Sequence, residues 1–230
     1  MPVLAVVPAC LRDRHDAELL GRCLVSLWRT APGVPAIVVG SDELAPVCAE
    51  LGYELLALEG GASFPRAANA GLAIAEGAGA DAVVIHHDVE LLEPGWLDAL
   101  VDVRRDLVGG RLLFPDGTLQ HCGYRYSQLH GRFVPRMLFG PADLPASLEP
   151  AICPVGSALT LIGHDAILAL GGFDEVSAEP DVDLCLRAFA AGGTCAYEPS
   201  AVALHHDVAW SGAAGTRPCT YDDELRRRFA

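Results

Sequence analysis

Short apolar runs and apolar stripes at helical spacing take turns along residues 1–105. Val3–Val7 is a β-rich run, and in Ala17–Arg29 the residues Leu20, Cys23, Leu24 and Leu27 recur at the spacing of one helix face. Ala36–Val39 predicts a second strand, Glu43–Leu51 a helix, Glu54–Leu58 a third strand, and Pro65–Glu76 an Ala-rich helix that stops at Gly77. Ala80–Ile85 shows no polar alternation, so it predicts a strand buried on both faces. Pro94 sits at the start of a further helix, whose Trp96, Leu97, Leu100 and Val101 form one apolar side. Strands joined by helices in this order predict an α/β fold with a doubly wound, mostly parallel sheet and helices on both faces.

From residue 106 the pattern changes. Leu107–Leu113 and Thr118–Cys122 flank Phe114-Pro115-Asp116-Gly117 and predict a hairpin. Residues 124–150 are aromatic and Pro-rich and predict an irregular loop or lid. Ile152–Ile162 reads as a strand around Gly156, and His164–Leu170 as a short helix closed by Gly171-Gly172. Asp181–Ala191 reads as a helix between an Asp start and a Gly192-Gly193 stop. Thr194–Tyr197 and Ala201–His205 predict two short strands, and the charged stretch Asp222–Ala230 a surface helix. No repeat or low-complexity linker interrupts the chain, so 1–230 is expected to form one domain. It has halves at 1–105 and 106–210, an insertion at 124–150 and a tail at 211–230.

Composition narrows the function. With 51% hydrophobic and 20% charged residues the chain is globular. A net charge of −14 disfavours a phosphate-tracking face, so nucleic acid and anionic membrane surfaces are not expected partners. All 16 basic residues are Arg, which excludes a phosphate-loop Lys, a Schiff-base Lys and a pyridoxal-phosphate anchor. No apolar run approaches the length of a transmembrane segment, and the N-terminus lacks the basic flank of a signal peptide, so a cytoplasmic location is expected. The eight cysteines are scattered without a C-x-x-C pair and are expected to be reduced and structural.

Three clusters could carry chemistry. His86-His87-Asp88-Val89-Glu90 follows the buried strand Ala80–Ile85, at the carboxyl end where open α/β sheets bind ligands. If extended geometry persists there, His86 and Asp88 point the same way and could share a first-row divalent cation; otherwise they are a solvated polar strand end. Asp181, in Glu179-Pro180-Asp181-Val182-Asp183, is either a helix N-cap or a general base at a loop-to-helix junction. His205-His206-Asp207 ends the last strand and offers either a third metal ligand or a surface histidine pair. A G-x-G-x-x-G phosphate loop, H-E-x-x-H and G-x-S-x-G are all missing.

In order and spacing, several segments resemble the family-two glycosyltransferases of the GT-A fold, rhamnosyltransferase-like members among them. They are Leu19–Leu27, Phe64–Leu72, His86–Glu90 with Pro94-Gly95-Trp96-Leu97, Val108–Gly117, Gly171–Glu175 and Asp181–Arg187. The resemblance covers about residues 3–210. It implies a nucleotide-diphospho-sugar transferase-like domain, with a nucleotide-binding half at 1–105 and an acceptor half at 106–210. The implied reaction is metal-dependent, inverting transfer of a sugar from a nucleoside-diphosphate sugar to an unidentified acceptor, with Mn2+ or Mg2+ as cofactor. Carried over by position, Asp88 would be the main metal ligand, His86 an auxiliary one, and His205 or His206 would complete the metal or diphosphate site. Asp181 would be the base, Arg66 would contact the nucleotide, and Asn69 would shape that pocket or support the loop. This sequence departs from the family pattern at three places. Gly40 stands where an acidic residue usually holds the base, with Asp42 the nearest substitute; histidines precede Asp88; and Pro180 precedes Asp181. Two other readings stay open: a catalytically degenerate GT-A domain that binds a nucleotide sugar or a protein, and a nucleotidyltransferase using Arg12 and Arg14.

Overall fold

The computed structural model describes residues 1–11, 13–60, 63–206 and 227–230. The first half runs β1 (Val3–Pro8), α1 (Arg14–Thr30), β2 (Ala36–Gly40), α2 (Ala45–Leu51), β3 (Glu54–Ala57), α3 (Phe64–Gly77), β4 (Asp81–Ile85), β5 (Val89–Leu91) and α4 (Trp96–Val103). The second half runs β6 (Leu107–Leu113), β7 (Leu119–His121), β8 (Tyr124–Ser127), β9 (Arg132–Pro135), β10 (Ala151–Ile152), β11 (Leu159–Ile162), α5 (His164–Leu170), α6 (Pro180–Ala190) and β12 (Cys195–His205).

In the main sheet the strand order is β10-β12-β6-β11-β4-β1-β2-β3. The pairs β4–β1, β1–β2 and β2–β3 are parallel, as is β6–β12, whereas β11 runs antiparallel to both β4 and β6. Each central strand is buried on both faces, as Ala80–Ile85 predicted. Val6 and Val84 join a core with Ala67, Leu72, Ile167 and Phe189 from α3, α5 and α6. Ala5, Val7, Val83 and Ile85 face the opposite core, with Leu20, Leu24, Cys48 and Leu100 from α1, α2 and α4. Thus helices cover both sides of a mixed, mostly parallel sheet, the nucleotide-diphospho-sugar transferase architecture. Local chemistry sets the helix ends. The Asp13 carboxylate accepts the Asp16 N–H at 3.1 Å to open α1, and Gly52 and Gly171 close α2 and α5 in left-handed conformations. Gly71 lets α3 lie directly on β1, because a Cβ there would collide with Val6.

Some expected elements take a different form. The segment 124–150 is not wholly irregular: β8 and β9 make a separate two-stranded hairpin, with Tyr126 opposite Phe133. Both rings are buried, and Tyr126 N–H donates to the Phe229 carbonyl at 2.6 Å. Phe229 itself is buried, unlike a surface-helix residue, while the rest of the predicted tail helix up to residue 226 lies outside the described residues. The expected strand Ile152–Ile162 breaks into β10 and β11 around residues 153–158. The two late strands are one, β12, which continues through a register shift between Glu198 and Val202; Pro199, lacking an N–H to donate, falls within it. Among the described residues no helix is long and apolar enough to cross a membrane.

Candidate active site

Extended backbone stops at Ile85. The chain then turns, and Val89 N–H donates to the His86 carbonyl at 3.0 Å. A tight turn, not the strand pleat expected from sequence, therefore carries His86 and Asp88 to the same place. β5 pairs antiparallel with the end of β12, which sets Val89 opposite His205, and His206 N–H donates to the Asp88 carbonyl at 3.0 Å. This short ladder delivers the last histidines of the sheet to Asp88. His86, Asp88 and His205 each offer one ligand atom, and the three atoms lie within 4.8 Å of one another. His206 is held apart from that group: its Nε2 lies 3.7 Å from Glu90 Oε2.

The donor set suits a divalent cation. Two imidazoles and a carboxylate match first-row ions, and the site is dry, with Asp88 only 1% exposed. His205 Nε2 is buried and stands 3.2 Å from Asp88 Oδ1. Burial alone would raise the Asp88 pKa. The closeness and charge of His205, then the charges of His86 and His87, outweigh it and hold the carboxyl well below its usual range. Burial, together with the charge of His205, pushes His86 down to about 3 against the pull of Asp88. His86 is thus a neutral imidazole, the form that ligates metals. Its Nε2 lies 3.2 Å from Ser157 Oγ.

Beside this cluster is a cavity of about 300 Å³ whose lining includes His86, His205, Gln120, His121, Tyr124 and Asp181. Asp181 stands in the first turn of α6, as the helix-start pattern predicted, and its two oxygens are both engaged. Tyr124 Oη donates to Oδ2 at 2.9 Å, and Val182 N–H donates to Oδ1 at 2.9 Å. Burial raises the Asp181 pKa, and the Tyr124 and Val182 hydrogen bonds offset part of that rise. Burial, followed by the nearby Asp181 charge, likewise pushes the Tyr124 phenol up. His121 packs edge-on against Tyr124 with ring centroids 4.6 Å apart, and its Nε2 accepts the Gly156 N–H at 2.8 Å. Burial, then the charges of His205 and Arg136, pushes His121 down to about 3. The outer wall comes from the 124–150 segment, where Phe139 stacks on Phe114 with centroids 5.2 Å apart.

Sequence reasoning missed Gln120, His121 and Tyr124. The available signal was a polar pair, Gln120-His121, flanked by Leu119 and Cys122.

The expected nucleotide-side residues occupy the same end of the sheet in different ways. Arg66 is exposed in the first turn of α3, two residues after Phe64, whose ring centroid lies 4.6 Å from that of His86. The Asn69 amide clamps the loop before α6. Its Oδ1 accepts the Phe173 N–H at 2.7 Å and its Nδ2 donates to the Phe173 carbonyl at 2.8 Å. Asp42 is exposed on a short turn just beyond β2. Gly40 cannot carry a side chain without rearrangement, because a Cβ there would run into the Ala9 carbonyl and Leu44 Cδ1. Restoring an acid at this position, Gly40→Asp, is therefore expected to cost about 1–3 kcal/mol by overpacking, read as a lowered thermal midpoint. Arg12 lies outside the described residues, and Arg14 points to Glu18 at 3.4 Å on the surface of α1.

No protein-family model matches the chain. An O-antigen biosynthesis protein, RfbC, from Myxococcus xanthus is 32% identical over 136 residues, which are 54% of this chain and 11% of that protein. A pre-mycofactocin glycosyltransferase of Mycobacterium tuberculosis is 32% identical over 117 residues, 48% of this chain and 24% of the relative. The chain thus matches only a minor part of each of these longer proteins. Among solved structures, the mannosyltransferase PcManGT of Pyrobaculum calidifontis, determined with GDP-Man and Mn2+, superposes with TM-score 0.58 at 16% identity, covering 91% of this chain and 58% of that one. The fold extends to a Bacillus anthracis chain described as a glucose-1-phosphate thymidylyltransferase, with TM-score 0.53, 10% identity and 86% of each chain covered. The fold is that of a nucleotide-diphospho-sugar transferase-like α/β protein. Within that class, the sequence matches and the fold support a family-two glycosyltransferase of the GT-A fold.

Proposed function

We propose that the protein transfers a sugar from a nucleoside-diphosphate sugar to an acceptor hydroxyl with inversion at the anomeric carbon. A divalent cation, Mn2+ or Mg2+, would be held by His86, Asp88 and His205. The observation that carries this reading is the shared cavity, with two of the three cation-ligating side chains and Asp181 in its lining. When bound, the cation supplies Lewis-acid stabilisation of the departing diphosphate. Arg66 and Asp42 flank the donor side, and Asn69 fixes the loop that leads into α6. Asp181 takes the proton of the acceptor hydroxyl as the oxygen attacks, a role favoured by the burial that raises its carboxyl pKa. One base and a direct displacement give inversion.

The test is incubation with a panel of nucleotide sugars and Mn2+, reading nucleoside diphosphate release and the anomeric configuration of the product. Cation-dependent release with inversion is expected. Pyrophosphate release from a nucleoside triphosphate would instead establish a nucleotidyltransferase, a chemistry that the shared fold also accommodates. Tight binding without turnover across donors and acceptors would establish a binding domain.

The Tyr124 hydrogen bond gives a pH prediction. A phenol donating to the Asp181 carboxylate favours its ionised form, so removing the donor raises the carboxyl pKa further. Because the base works only when ionised, the acid limb of the kcat/KM profile in Tyr124→Phe is expected to move to higher pH. An unmoved limb would refute the pairing.

A further inference from the structure

We infer that Gln120 is a positioning residue that fixes the ring tautomer of His205, with the hydrogen on Nδ1 and bare Nε2 turned toward Asp88. The inference rests on the metal-site reading above for its functional meaning, but its geometric content stands by itself.

The strand β7 pairs with β6 through Leu112–His121 and Leu113–Leu119, and the register shifts between them. Gln120 is the extra residue of that bulge, a device that re-aims a side chain. It is only 8% exposed and is directed at the end of β12. Its Nε2 lies 3.4 Å from the His205 carbonyl oxygen, and its Oε1 lies 2.6 Å from His205 Nδ1. A carbonyl can only accept, so the amide nitrogen must face it, and the amide orientation is set by the backbone. Oε1 is then left facing the ring, and it too can only accept. Nδ1 therefore carries the hydrogen.

A neutral imidazole has one ring hydrogen, so Nε2 is a lone pair. In the neutral ring that lone pair faces Asp88 Oδ1, another acceptor, 3.2 Å away. Two acceptors at this distance repel unless a cation lies beside both. Gln120 thereby disfavours the tautomer that carries its hydrogen on Nε2 and keeps the ring in the form that ligates a metal. Outer partners of this kind fix ring orientation and raise ligand basicity.

Two measurements test this. Long-range 1H–15N correlation spectra of the metal-free protein, recorded over a pH series, report the His205 tautomer directly. The Nδ1–H form is expected in wild type, and the Nε2–H form there would overturn the inference whatever the metal does. Titration with Mn2+ alone, followed by calorimetry, gives the second reading. Gln120→Leu is expected to admit the Nε2–H tautomer and to weaken Mn2+ binding by about 10–100-fold. Gln120→Glu, which still accepts from Nδ1, is expected to keep the wild-type tautomer and bind at least as tightly. Wild-type Mn2+ affinity in folded Gln120→Leu would overturn the inference. Should Gln120→Leu not fold, the wild-type spectrum and Gln120→Glu decide it: loss of the Nδ1–H form in Gln120→Glu also counts against it. Absence of Mn2+ binding by a wild-type protein that shows the Nδ1–H form would defeat the metal reading and leave the Gln120 role intact.

Discussion

Asp88→Ala is expected to abolish the cation-dependent part of nucleoside-diphosphate binding while leaving the fold in place. Asp88 is the one anionic group among the three converging ligands, and the others are imidazoles whose own charge would repel a cation if they were protonated. Its carboxyl stays ionised far into acid, so at any working pH it contributes a full negative charge in a dry site. Losing a direct ligand should exceed the about 10–100-fold loss typical of an outer partner. Calorimetry with UDP and GDP, with and without Mn2+, reads the effect: wild type should bind more tightly with the cation, and Asp88→Ala should show no difference. Asp88→Asn removes the charge at nearly constant volume and should behave almost as badly. Equal cation dependence in wild type and Asp88→Ala would remove the metal site from the mechanism.

The first half of the fold was readable because its determinants are local. Leu20, Cys23, Leu24 and Leu27 mark the α1 face without reference to anything distant, and the alternation-free run before His86 announces a strand buried by helices on both sides. The second half was harder, because its elements are defined by partners remote in sequence. β8 and β9 form a hairpin whose rings need the C-terminal Phe229 to bury them, and β12 is a single strand only because β6 runs beside it on both sides of the Pro199 irregularity. At the site, residue types marked His86, Asp88, His205 and Asp181 only as candidates, since a helix N-cap or a polar strand end accounts for them equally, and the family resemblance supplied their roles. Spacing could not choose between His205 and His206; the β5–β12 register does, facing one toward Asp88 and the other toward Glu90. Gln120 and Tyr124 stayed hidden for the same reason. A glutamine in a three-residue strand and a tyrosine in a Pro-rich stretch acquire meaning only from the bulge that aims one and the hairpin that holds the other.

Asp181→Asn is expected to preserve donor and cation binding and to lose turnover. The substitution is close to isosteric, and Val182 N–H can still donate to the amide oxygen. If that oxygen occupies the Oδ1 position, the amide nitrogen faces Tyr124 Oη, which can turn its hydrogen away and accept, so the side chain stays in place. What disappears is the capacity to take a proton. General-base removal costs about 10²–10⁴-fold in rate, and here the whole of it should fall on kcat, because Asp181 lines the cavity and is not among the cation ligands. Steady-state kinetics with saturating nucleotide sugar read the loss, and calorimetry on the same preparation reads the retained donor affinity. A raised KM with unchanged kcat would assign Asp181 to substrate binding. Unchanged kinetics would mean that the proton leaves by another route, and the cavity joining Asp181 to the histidine cluster would then no longer locate the chemistry.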